Sequence, residues 1–452
     1  MLISELYTLY NQYPVVTTDS RVCPPGSIFF ALKGESFDGN TFAEKALQSG
    51  CAYAVIDDAS CHTDSRMILV DDVLTALQQL ARTHRETLNI PVVGITGTNG
   101  KTTTKELAAT VLSKKYNTLF TQGNLNNHIG VPLTLLKLTR EHDIAVIEMG
   151  ANHPGEIRDL ANITLPDYGL ITNVGYAHLE GFGSFEGVIK TKGELYDFMR
   201  GTNGKIFINK ENEYLTKIAG GLEQIRYGIM PDVDTSECPF ISGKVLNRHP
   251  LLSFAWKQQD KDTQYSVETR LVGDYNLWNA LAAITIGISF DVAPEQINDA
   301  IANYEPSNNR SQLLKTANNM LVIDTYNANP SSMRAALENF APPTNAPSEK
   351  LPDAQQDTLS ALPKAVILGD MLELGEKSAE LHADMIRLTE TLGIEKILLC
   401  GEQFSTVAKR HICFATIEKL GEFLKENPLN GYHILIKGSH GIHLEKIIEH
   451  LQ

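Results

Sequence analysis

The segment GITGTNGKTTTKE, residues 94–106, has the make-up of a phosphate-binding loop. It continues the apolar run IPVVGIT, residues 90–96, which is typical of a buried strand, and it opens KTTTKELAATVLSKKY, residues 101–116, which is typical of a helix. A glycine-rich turn between a strand and a helix points several backbone N–H groups at one place, where the helix dipole adds partial positive charge. The segment therefore predicts a nucleotide site, with an ordinary glycine-rich turn as the alternative.

The residues of this loop have expected roles. We expect Lys101 to reach the terminal phosphates and Thr102 to offer its hydroxyl to Mg²⁺, while Gly97 and Gly100 allow a tight turn and a close backbone approach. The spacing departs from the pattern G-x-x-x-x-G-K-[ST], which would require a glycine at Ile95. The predicted nucleotide-binding residues of the loop are Gly97, Thr98, Asn99, Gly100, Lys101, Thr102 and Thr103.

Length and composition predict a soluble protein of several domains. The chain has 452 residues, with 42% hydrophobic and 21% charged residues, so we expect two to four globular domains. The longest apolar run, residues 277–290, is too short to span a bilayer. The segment MLISELYTLYNQYP lacks a basic start and a small-residue cleavage site, so it does not resemble a signal peptide. We therefore expect a cytoplasmic protein without membrane insertion.

The charge and the cysteines limit the classes of ligand. A net charge of −15 argues against non-specific binding of nucleic acid, and we expect no nucleic-acid partner. An anionic ligand would have to be held by local groups, such as backbone N–H groups, helix N-termini, a few basic side chains and a metal ion. The six cysteines form no C-x-x-C pair, so neither a disulfide framework nor a zinc site is predicted.

Three regions with different patterns predict an α/β fold with three domains. Residues 1–88 contain short strand-like and helix-like segments, which indicates a small α/β domain. Residues 89–310 repeat strand–loop–helix units around the phosphate loop, with apolar strands that suit a parallel sheet covered on both faces. Residues 311–452 predict a second, Rossmann-like doubly wound domain. Residues 341–363 are rich in Pro, Ser, Asp and Gln, and they predict an exposed, disordered insertion.

The form GTNGKTTTKE resembles the phosphate loop of the Mur ligase family, the ATP-dependent amide-bond ligases of peptidoglycan precursor synthesis. The resemblance runs nearly end to end, and it implies a UDP-sugar domain, a central ATPase domain and a C-terminal Rossmann-like domain. It implies ATP and Mg²⁺ as cofactors and an acyl-phosphate intermediate. The implied substrates are D-alanyl-D-alanine and UDP-N-acetylmuramoyl-tripeptide, with lysine or diaminopimelate as its third residue. We expect the chain to act as a monomer.

Candidate catalytic and metal-binding groups follow predicted strands. Glu148, in VIEMG at residues 146–150, follows an apolar strand, so its carboxylate would face the crevice beside the phosphate loop. The resemblance implies that His178 binds a second Mg²⁺ and that Lys192 is carbamylated by CO₂, which needs a buried, neutral amine. From the residues alone, Lys192 would be an exposed helix lysine like Lys190. The implied catalytic residues are Lys101, His178 and Lys192, and the implied metal-binding residues are Thr102, Glu148, His178 and Lys192.

Stretches in all three domains resemble substrate-binding motifs of the family. Residues 17–42 imply UDP-sugar contacts from Ser20, Arg21, Lys33, Gly34, Phe37, Asp38 and Asn40. Residues 121–136 imply muramoyl-peptide contacts from Asn124, Asn126 and Asn127. ATP contacts are implied for Asn276, Asn279, Arg310 and Asp324, and contacts to D-alanyl-D-alanine and ATP for Tyr326, Asn327, Asn329, Lys437, Ser439 and His440. His440 stands where the family motif K-G-S-R has arginine, so its grip on a carboxylate would be weaker near neutral pH.

Two alternatives stay open at this point. The first keeps the chemistry and changes the substrate, as in another Mur-type ligase or a folylpolyglutamate-type ligase, although the stretch DSR…LKGESFDG argues against a folate enzyme. The second is a P-loop ATPase switch, which would hydrolyse ATP without joining two molecules.

Overall fold

The chain folds into three units, each built around its own sheet. The structure, a computed structural model, describes residues 2–231, 238–306, 309–341 and 362–452. Within those ranges the α/β architecture of three units predicted from the sequence is confirmed. The exact domain boundaries after residues 88 and 310 stay a prediction. The predicted insertion at 341–363 falls, apart from its end residues, outside the described ranges.

The N-terminal unit is a small parallel sheet flanked by helices. Its described strands, in their order across the sheet, are β1 Val16–Thr17, β2 Ile28–Phe30, β3 Tyr53–Ile56 and β4 Met67–Leu69. Each neighbouring pair is parallel. The helices are α1 Ile3–Gln12, α2 Ala43–Gln48 and α3 Val73–Leu88, with short 3₁₀ turns at Gly39–Phe42 and Ala59–Cys61.

Helix α3 fixes the N-terminal unit to the middle unit. The guanidinium of Arg85 donates to the carbonyl oxygens of Thr164 at 3.3 Å and Leu165 at 3.1 Å. It also donates to the Asp167 carboxylate at 2.9 Å. Arg85 is buried, and a buried cation that lost these acceptors would be strongly destabilising. The position of α3 relative to the middle sheet is therefore tightly specified.

The middle unit carries a large mixed sheet. Its strands are β5 Val92–Thr96, β6 Thr118–Phe120, β7 Ile144–Glu148, β8 Tyr168–Ile171, β9 Lys205–Asn209, β10 Glu223–Ile229, β11 Ile241–Asn247, β12 Ser253–Gln258 and β13 Gln264–Glu268. Its helices are α4 Lys101–Leu112, α5 Gly130–Leu135, α6 Glu156–Thr164, α7 Leu179–Phe182, α8 Phe185–Thr202, α9 Glu213–Ile218, α10 Asn276–Ser289 and α11 Pro294–Ala302. The order across the described sheet is β13-β12-β11-β10-β9-β8-β5-β7-β6, and only its β11–β12 and β12–β13 pairs are antiparallel.

The path of the chain opens a crevice at the end of β5. Strand β5 is completely buried and lies between β7 and β8, both of which run parallel to it. The chain builds β6 and β7 on one side of β5 and then crosses to build β8 on the other side. In open α/β sheets, ligands bind at the carboxyl ends of strands where the order reverses in this way. The topology therefore places the phosphate loop, which follows β5, at the expected site.

The C-terminal unit is a second sheet with helices on both faces. Its strands are β14 Gln312–Lys315, β15 Met320–Asp324, β16 Lys364–Gly369, β17 Lys396–Cys400, β18 Ile412–Phe414 and β19 His433–Lys437. Its helices are α12 Pro330–Phe340, α13 Ser378–Thr391, α14 Glu402–Val407 and α15 Ile417–Glu426, with 3₁₀ segments at Gly375–Lys377, His440–Ile442 and Leu444–Leu451. The described order is β14-β15-β19-β16-β17-β18, parallel except for β14. Within the described parts of the chain, every helix is too short or too polar to cross a lipid bilayer.

A poorly solvated histidine begins the central strand of this unit. The ring of His433 lies 4.6 Å from the ring of Phe340, and its Nε2 has no hydrogen-bond partner among the described residues. Burial, together with the nearby charge of Lys364, lowers the pKa of His433 to about 4. The folded protein therefore resists protonation of His433, whereas the unfolded chain takes up the proton near pH 6.5.

This histidine should make the protein acid-sensitive. The free energy of unfolding should fall as the pH drops below 6.5 and level off below about pH 4, with a loss of about 2 kcal/mol from His433 between pH 7 and pH 5. Urea unfolding of His433→Gln at both pH values should show a smaller drop than the unsubstituted protein, because glutamine does not titrate. His62→Gln, at an exposed position, is the control. Equal drops in His433→Gln and the unsubstituted protein would contradict this assignment.

Candidate active site

A cavity of about 1350 Å³ lies where the three units meet. Residues from the carboxyl ends of β5, β7, β8, β15 and β19 contribute to its wall, together with one face of helix α3. Most of the residues predicted from the motifs of the middle and C-terminal units line it. They are Thr98, Asn99, Gly100, Lys101, Thr102, Thr103, Asn124, Asn126, Asn127, Glu148, His178, Asn276, Asn279, Arg310, Asp324, Tyr326, Asn327, Lys437, Ser439 and His440.

The phosphate loop is enclosed so tightly that two of its positions accept only glycine. Gly97 has φ +142°, and a Cβ there would lie 2.0 Å from the hydroxyl oxygen of Thr172. Gly100 has φ +77°, and a Cβ there would lie 2.4 Å from Oδ1 of Asn279. Both the backbone conformation and the space therefore exclude a side chain. Gly97 itself does not line the cavity; its positive φ and its close packing on Thr172 set the backbone conformation of the loop.

Hydrogen bonds hold the loop between these glycines. The backbone N–H of Asn99 donates to Oδ1 of Asn173 at 3.0 Å, and the hydroxyl of Thr172 donates to the Asn99 carbonyl at 2.7 Å. Oδ1 of Asn99 accepts from Nδ2 of Asn329, in the C-terminal unit, at 2.8 Å. The loop is thus held by two units, and Thr98, Asn99 and Gly100 line the cavity from this fixed position.

Lys101 opens helix α4 and is folded onto its own loop. Its Nζ donates to the carbonyl oxygens of Gly97 at 2.9 Å and Thr98 at 3.1 Å. Burial lowers the pKa of Lys101; the charge of Glu148 opposes this effect and that of Arg310 adds to it. A desolvated cation gains strongly from an anion placed beside it, which suits a phosphate contact.

The carboxylate of Glu148 meets the loop at the end of β7. Its Oε1 accepts from the hydroxyl of Thr102 at 3.2 Å and from Nδ2 of Asn126 at 2.8 Å. Its Oε2 is buried and has no hydrogen-bond partner among the described residues. A buried carboxylate oxygen without a partner, beside a threonine hydroxyl, fits the coordination of Mg²⁺.

No group of three or more His, Cys, Asp or Glu side chains converges as a metal site within the described residues. Mg²⁺ in nucleotide sites commonly uses one or two protein oxygens, with phosphates and water as its other ligands. The pair formed by Thr102 and Glu148 therefore has the size expected for such a site.

Lys192 is buried behind the cavity wall, so the alternative of an exposed helix lysine is wrong. Only 1% of Lys192 is exposed, whereas Lys190 is exposed on the same helix, α8. Its Nζ lies 3.3 Å from the Ala151 carbonyl oxygen and 5.2 Å from the centre of the Phe182 ring. Burial, reinforced by the charge of Lys101, lowers the pKa of Lys192 well below its ordinary value. Burial therefore favours the neutral form of the amine, which does not line the cavity.

His178 contacts the C-terminal unit. It has a left-handed backbone, with φ +50°, and its ring nitrogen Nδ1 hydrogen-bonds to the carboxylate of Glu373. This contact lowers the pKa of the Glu373 carboxyl. The backbone N–H of Glu180 also donates to the Glu373 carbonyl at 3.3 Å. His178 is therefore held at the junction of two units with its Nδ1 already engaged.

The asparagines of helix α10 form an internal chain. Nδ2 of Asn276 donates to the Val272 carbonyl at 2.7 Å, and Nδ2 of Asn279 donates to Oδ1 of Asn276 at 2.8 Å. Oδ1 of Asn279 accepts from the hydroxyl of Thr104, on helix α4, at 3.0 Å. Both asparagines line the cavity, and they also join α10 to the helix of the phosphate loop.

The C-terminal unit contributes an ion pair and a stack of rings. Nζ of Lys437 lies 2.6 Å from the Asp324 carboxylate at the adjacent strand ends of β15 and β19. The Arg310 guanidinium lies 3.7 Å from the Tyr326 ring centre, and the Tyr326 ring stacks on His440 at 5.6 Å. Nε of Arg310 has no hydrogen-bond partner in the described residues. Arg310 can therefore still bind an anion.

Two other predicted residues of this unit have structural partners. Asn329 caps helix α12 by accepting from the N–H of Ser332 at 2.9 Å, and it lies outside the cavity lining. The hydroxyl of Ser439 donates to the Ala328 carbonyl at 3.2 Å and accepts from the Leu372 N–H at 3.0 Å.

The asparagines that follow β6 also have distinct positions. Asn126 reaches Glu148, as described above, and Oδ1 of Asn127 accepts from the N–H of Gly130, where helix α5 begins, at 2.8 Å. Asn124 is exposed, and its carbonyl accepts from the Asn126 N–H at 2.7 Å. All three line the cavity. Because some of their polar atoms are engaged in these hydrogen bonds, a ligand would contact the atoms that are not.

The structure does not bring the predicted UDP-sugar residues into this cavity. None of the seven is among its described lining, and they lie instead around the ends of β1 and β2. Arg21 pairs with Asp19, and Lys33 pairs with Asp57, each at 2.8 Å. Buried Asn40 donates to the carboxylates of Asp38 and Asp57. The rest of the set consists of half-buried Ser20 and exposed Phe37, whose ring lies against Gly34.

Sequence reasoning did not select several residues that line the cavity. Asn173 is the second residue after β8, so the rule that ligands bind at strand ends could have found it. Tyr275 precedes the selected Asn276 but has no motif of its own. The face of α3 that enters the cavity gave no signal, because only the packing of two units brings it there. These last residues are Thr75, Gln78, Gln79 and Arg82.

The enclosure of Gly97 predicts a sharp effect of adding one methyl group. Gly97→Ala should weaken binding of a non-hydrolysable ATP analogue by about tenfold or more, because the loop must shift or strain to admit the Cβ. Gly201→Ala is the matched control, since Gly201 is exposed on helix α8 with open space around it. The control should keep its affinity and gain up to about 1 kcal/mol of stability. Isothermal titration calorimetry measures the affinity of both variants, and urea unfolding measures the stability of the control. An unchanged affinity for Gly97→Ala would refute the packing argument.

Known proteins share this architecture over nearly the whole chain. Residues 12–85 match the model of the Mur ligase family catalytic domain, residues 95–287 the Mur ligase middle domain, and residues 309–440 the Mur ligase glutamate ligase domain. The chain is 34% identical to UDP-N-acetylmuramoyl-tripeptide–D-alanyl-D-alanine ligase of Escherichia coli, over 97% of this chain and 93% of that protein.

Two solved structures extend this likeness. The UDP-N-acetylmuramoylalanyl-D-glutamyl-2,6-diaminopimelate–D-alanyl-D-alanyl ligase of Acinetobacter baumannii is 30% identical, with a TM-score of 0.78 over 96% of this chain and 92% of that one. The MurF ligase of Thermotoga maritima in complex with ADP is 25% identical, with a TM-score of 0.80 over 96% of each chain. The chain belongs to the Mur ligase family.

Proposed function

We propose that this chain is an ATP-dependent ligase that joins D-alanyl-D-alanine to UDP-N-acetylmuramoyl-tripeptide through an acyl phosphate, in peptidoglycan precursor synthesis. The relative from E. coli bears the name of that activity, and the similarity extends over nearly the whole of both chains. The observation that carries the proposal is the Glu148 carboxylate at the phosphate loop: its Oε1 accepts from the Thr102 hydroxyl, and its Oε2 is buried without a partner among the described residues. Arg310 and Lys437 line the same cavity. Such a cavity suits a triphosphate and a carboxylate held close together.

The residues present fit Mg²⁺, and Thr102 and Glu148 would hold it. When bound, the ion would offset the negative charge of the triphosphate and of the reacting carboxylate. Lys101 would leave the carbonyl oxygens of its loop for the terminal phosphates, and Arg310 would contact the γ-phosphate. Asn276 and Asn279 would lie near the adenine, with Asp324 near the rest of the nucleotide.

The reaction then has two steps. A carboxylate oxygen of the tripeptide attacks the γ-phosphorus, the bond to the bridging oxygen breaks, and ADP leaves. The amine of D-alanyl-D-alanine attacks the acyl carbon, loses a proton, and displaces phosphate to leave an amide. Fixed donors around developing charge stabilise such transition states more than flexible ones do. The loop N–H groups and Lys101 are those donors here.

The remaining predicted residues would bind the two substrates. We infer that the N-terminal set at residues 20–40 binds the uridine nucleotide, and that Asn124, Asn126 and Asn127 bind the muramoyl-peptide. On the C-terminal side, Tyr326, Asn327, Asn329, Lys437, Ser439 and His440 would hold D-alanyl-D-alanine and position the nucleotide. His440 stacks on Tyr326, so this position offers a ring face where an arginine would offer a fork of donors.

The proposal predicts that phosphate release depends on both substrates. With ATP and Mg²⁺, the protein should release phosphate when UDP-N-acetylmuramoyl-tripeptide and D-alanyl-D-alanine are both present, and fall to background when either is omitted. The assay is run with the lysine and the diaminopimelate forms of the tripeptide. Steady hydrolysis of ATP without an acceptor would instead favour an ATPase switch, and activity with a folate acceptor would favour the other ligase class.

We also propose that Lys192 carries a carbamate and acts with His178 beside the metal site. The neutral amine attacks the carbon of CO₂, an N–C bond forms, one C–O π bond opens to place the negative charge on oxygen, and a proton leaves to solvent, so that the neutral amine becomes an anionic carbamate. Burial of Lys192 and its low pKa support the reaction, because only the neutral amine is a nucleophile. A carbamate would orient the metal-binding groups, while the ammonium form would repel the ion.

The carbamate predicts chemical rescue. Lys192→Ala should lower kcat by about tenfold to a hundredfold, the usual range for groups that orient metal ligands, and added acetate or formate should restore part of the loss. Lys190→Ala, at an exposed position on the same helix, should leave both kcat and its response to acetate unchanged. Full activity of Lys192→Ala, or a loss that neither acid relieves, would count against the carbamate.

A further inference from the structure

One face of helix α3 forms a wall of the cavity that no motif of the sequence predicts. Thr75, Gln78, Gln79 and Arg82 line the cavity, and their spacing of three and four residues places them on one side of the helix. The opposite side of α3 is buried in the N-terminal core. This polar face is therefore presented to the cavity by the same packing that fixes α3 to the middle unit.

The wall is held close to the loop that follows β6. Nε2 of Gln78 donates to the His128 carbonyl at 3.0 Å, next to the asparagines of that loop. Helix α6 packs against α3 and adds Asp159 and Asn162 to the same cavity. Arg82 therefore projects from a fixed helix toward a polar compartment bounded by two units.

Arg82 is the basic side chain of this compartment. The other lysine and arginine residues among the described lining are Lys101, Arg310 and Lys437, which belong to the phosphate loop and the C-terminal side. Nε of Arg82 lies 3.1 Å from Oε1 of Glu86, one turn along α3, and both side chains are about half exposed. Such a pair is worth less than about 1 kcal/mol, so Arg82 can exchange it for an anionic ligand.

The acidic residues of this part of the cavity already have donors. The carboxylate of Glu156 accepts from the backbone N–H groups of Asn152 at 2.7 Å and His153 at 3.0 Å. The carboxylate of Asp159 accepts from Nε of Arg158 at 3.1 Å. These acids therefore do not compete strongly for the Arg82 guanidinium, which leaves its fork of donors for a ligand.

We propose that Arg82 binds a carboxylate of the peptide arm of the nucleotide substrate and so helps to select the tripeptide. This inference rests on the proposed function. A peptide of alanyl, D-glutamyl and 2,6-diaminopimelyl residues, as in the name of the A. baumannii relative, keeps carboxylates besides the one that reacts. The D-glutamyl residue has one, and diaminopimelate adds another. A planar guanidinium is suited to bind either of them in a bidentate way.

The size of the cavity agrees with a substrate that carries a second anionic group away from the nucleotide. A volume of about 1350 Å³ exceeds the range of about 300–1,000 Å³ that usual small-molecule sites occupy. The nucleotide end has its own cations, in Lys101, Arg310 and Lys437. A long substrate with a second anionic group would account for a further cation on another wall.

The test compares ligands that differ only in the peptide. Affinities for UDP-N-acetylmuramate and for the lysine and diaminopimelate forms of UDP-N-acetylmuramoyl-tripeptide are measured by calorimetry. Arg82→Gln should raise the Kd of the tripeptide ligands by about tenfold or more, the loss expected for one charge-assisted hydrogen-bond pair, and leave the Kd of UDP-N-acetylmuramate unchanged. Arg82→Lys should recover part of the loss. The KM for ATP should not change.

Arg66→Gln is the matched control. Arg66 lies in the same unit, its side chain is 47% exposed like that of Arg82, and it pairs with Asp64 at 2.7 Å, but it does not line the cavity. This control should bind every ligand as the unsubstituted protein does. A shared loss in Arg82→Gln and Arg66→Gln would reduce the effect to general surface charge and overturn the proposal.

The remaining outcomes assign the contact or reject it. A loss with both tripeptides places Arg82 on the D-glutamyl carboxylate, and a loss with the diaminopimelate form alone places it on the third residue. An equal loss for UDP-N-acetylmuramate, or no loss at all, overturns the peptide contact. Failure of the unsubstituted protein to release phosphate with either tripeptide would instead reject the proposed function, so the two failures are distinguishable.

Discussion

The packing around the phosphate loop is the constraint on which the rest of the site depends. Two elements of the middle unit, the segment after β8 and helix α10, close on residues 97–100 and leave no room for a Cβ at either glycine. The start of α12 in the C-terminal unit adds a hydrogen bond to the same loop. Because close-packed interiors shift as units, a loop enclosed in this way transmits its position to its neighbours. Helix α10, strand β8 and the start of α12 are therefore placed by the same contacts that shape the anion site.

Much of this arrangement could be predicted because it depends on local pattern. Apolar runs followed by a polar residue mark buried parallel strands, and the carboxyl ends of such strands meet at one edge. Glu148, Asp324 and Lys437 stand at strand ends, and the structure brings all of them to one cavity. The start of helix α12 could be predicted for the same reason, because asparagine favours the N-cap position and proline favours the first helical position, which Asn329 and Pro330 occupy.

The rest could not be predicted because it depends on how units pack. The contact of His178 with Glu373 joins residues of different units, and the polar face of α3 lines the cavity only because Arg85 fixes that helix on the middle unit. Burial is equally non-local. Lys190 and Lys192 lie two residues apart on one helix, yet one is exposed and the other is enclosed by Ala151 and Phe182. The residues alone do not separate these two lysines, and only the resemblance to the family motif pointed to Lys192.

An acidic protein that binds two anions must attract them with groups that lie at the site itself. The net charge of −15 gives no general attraction, so the favourable free energy must come from groups that the fold has already desolvated. Within the described parts of the chain, Lys437 is paired with Asp324, whereas Nζ of Lys101 donates to two carbonyl oxygens and Nε of Arg310 has no hydrogen-bond partner. Folding has already removed water from Lys101 and Arg310, which is unfavourable for a cation. A phosphate that binds beside them therefore offsets this desolvation. The site gains affinity from that effect, which an anion that does not reach the loop cannot obtain.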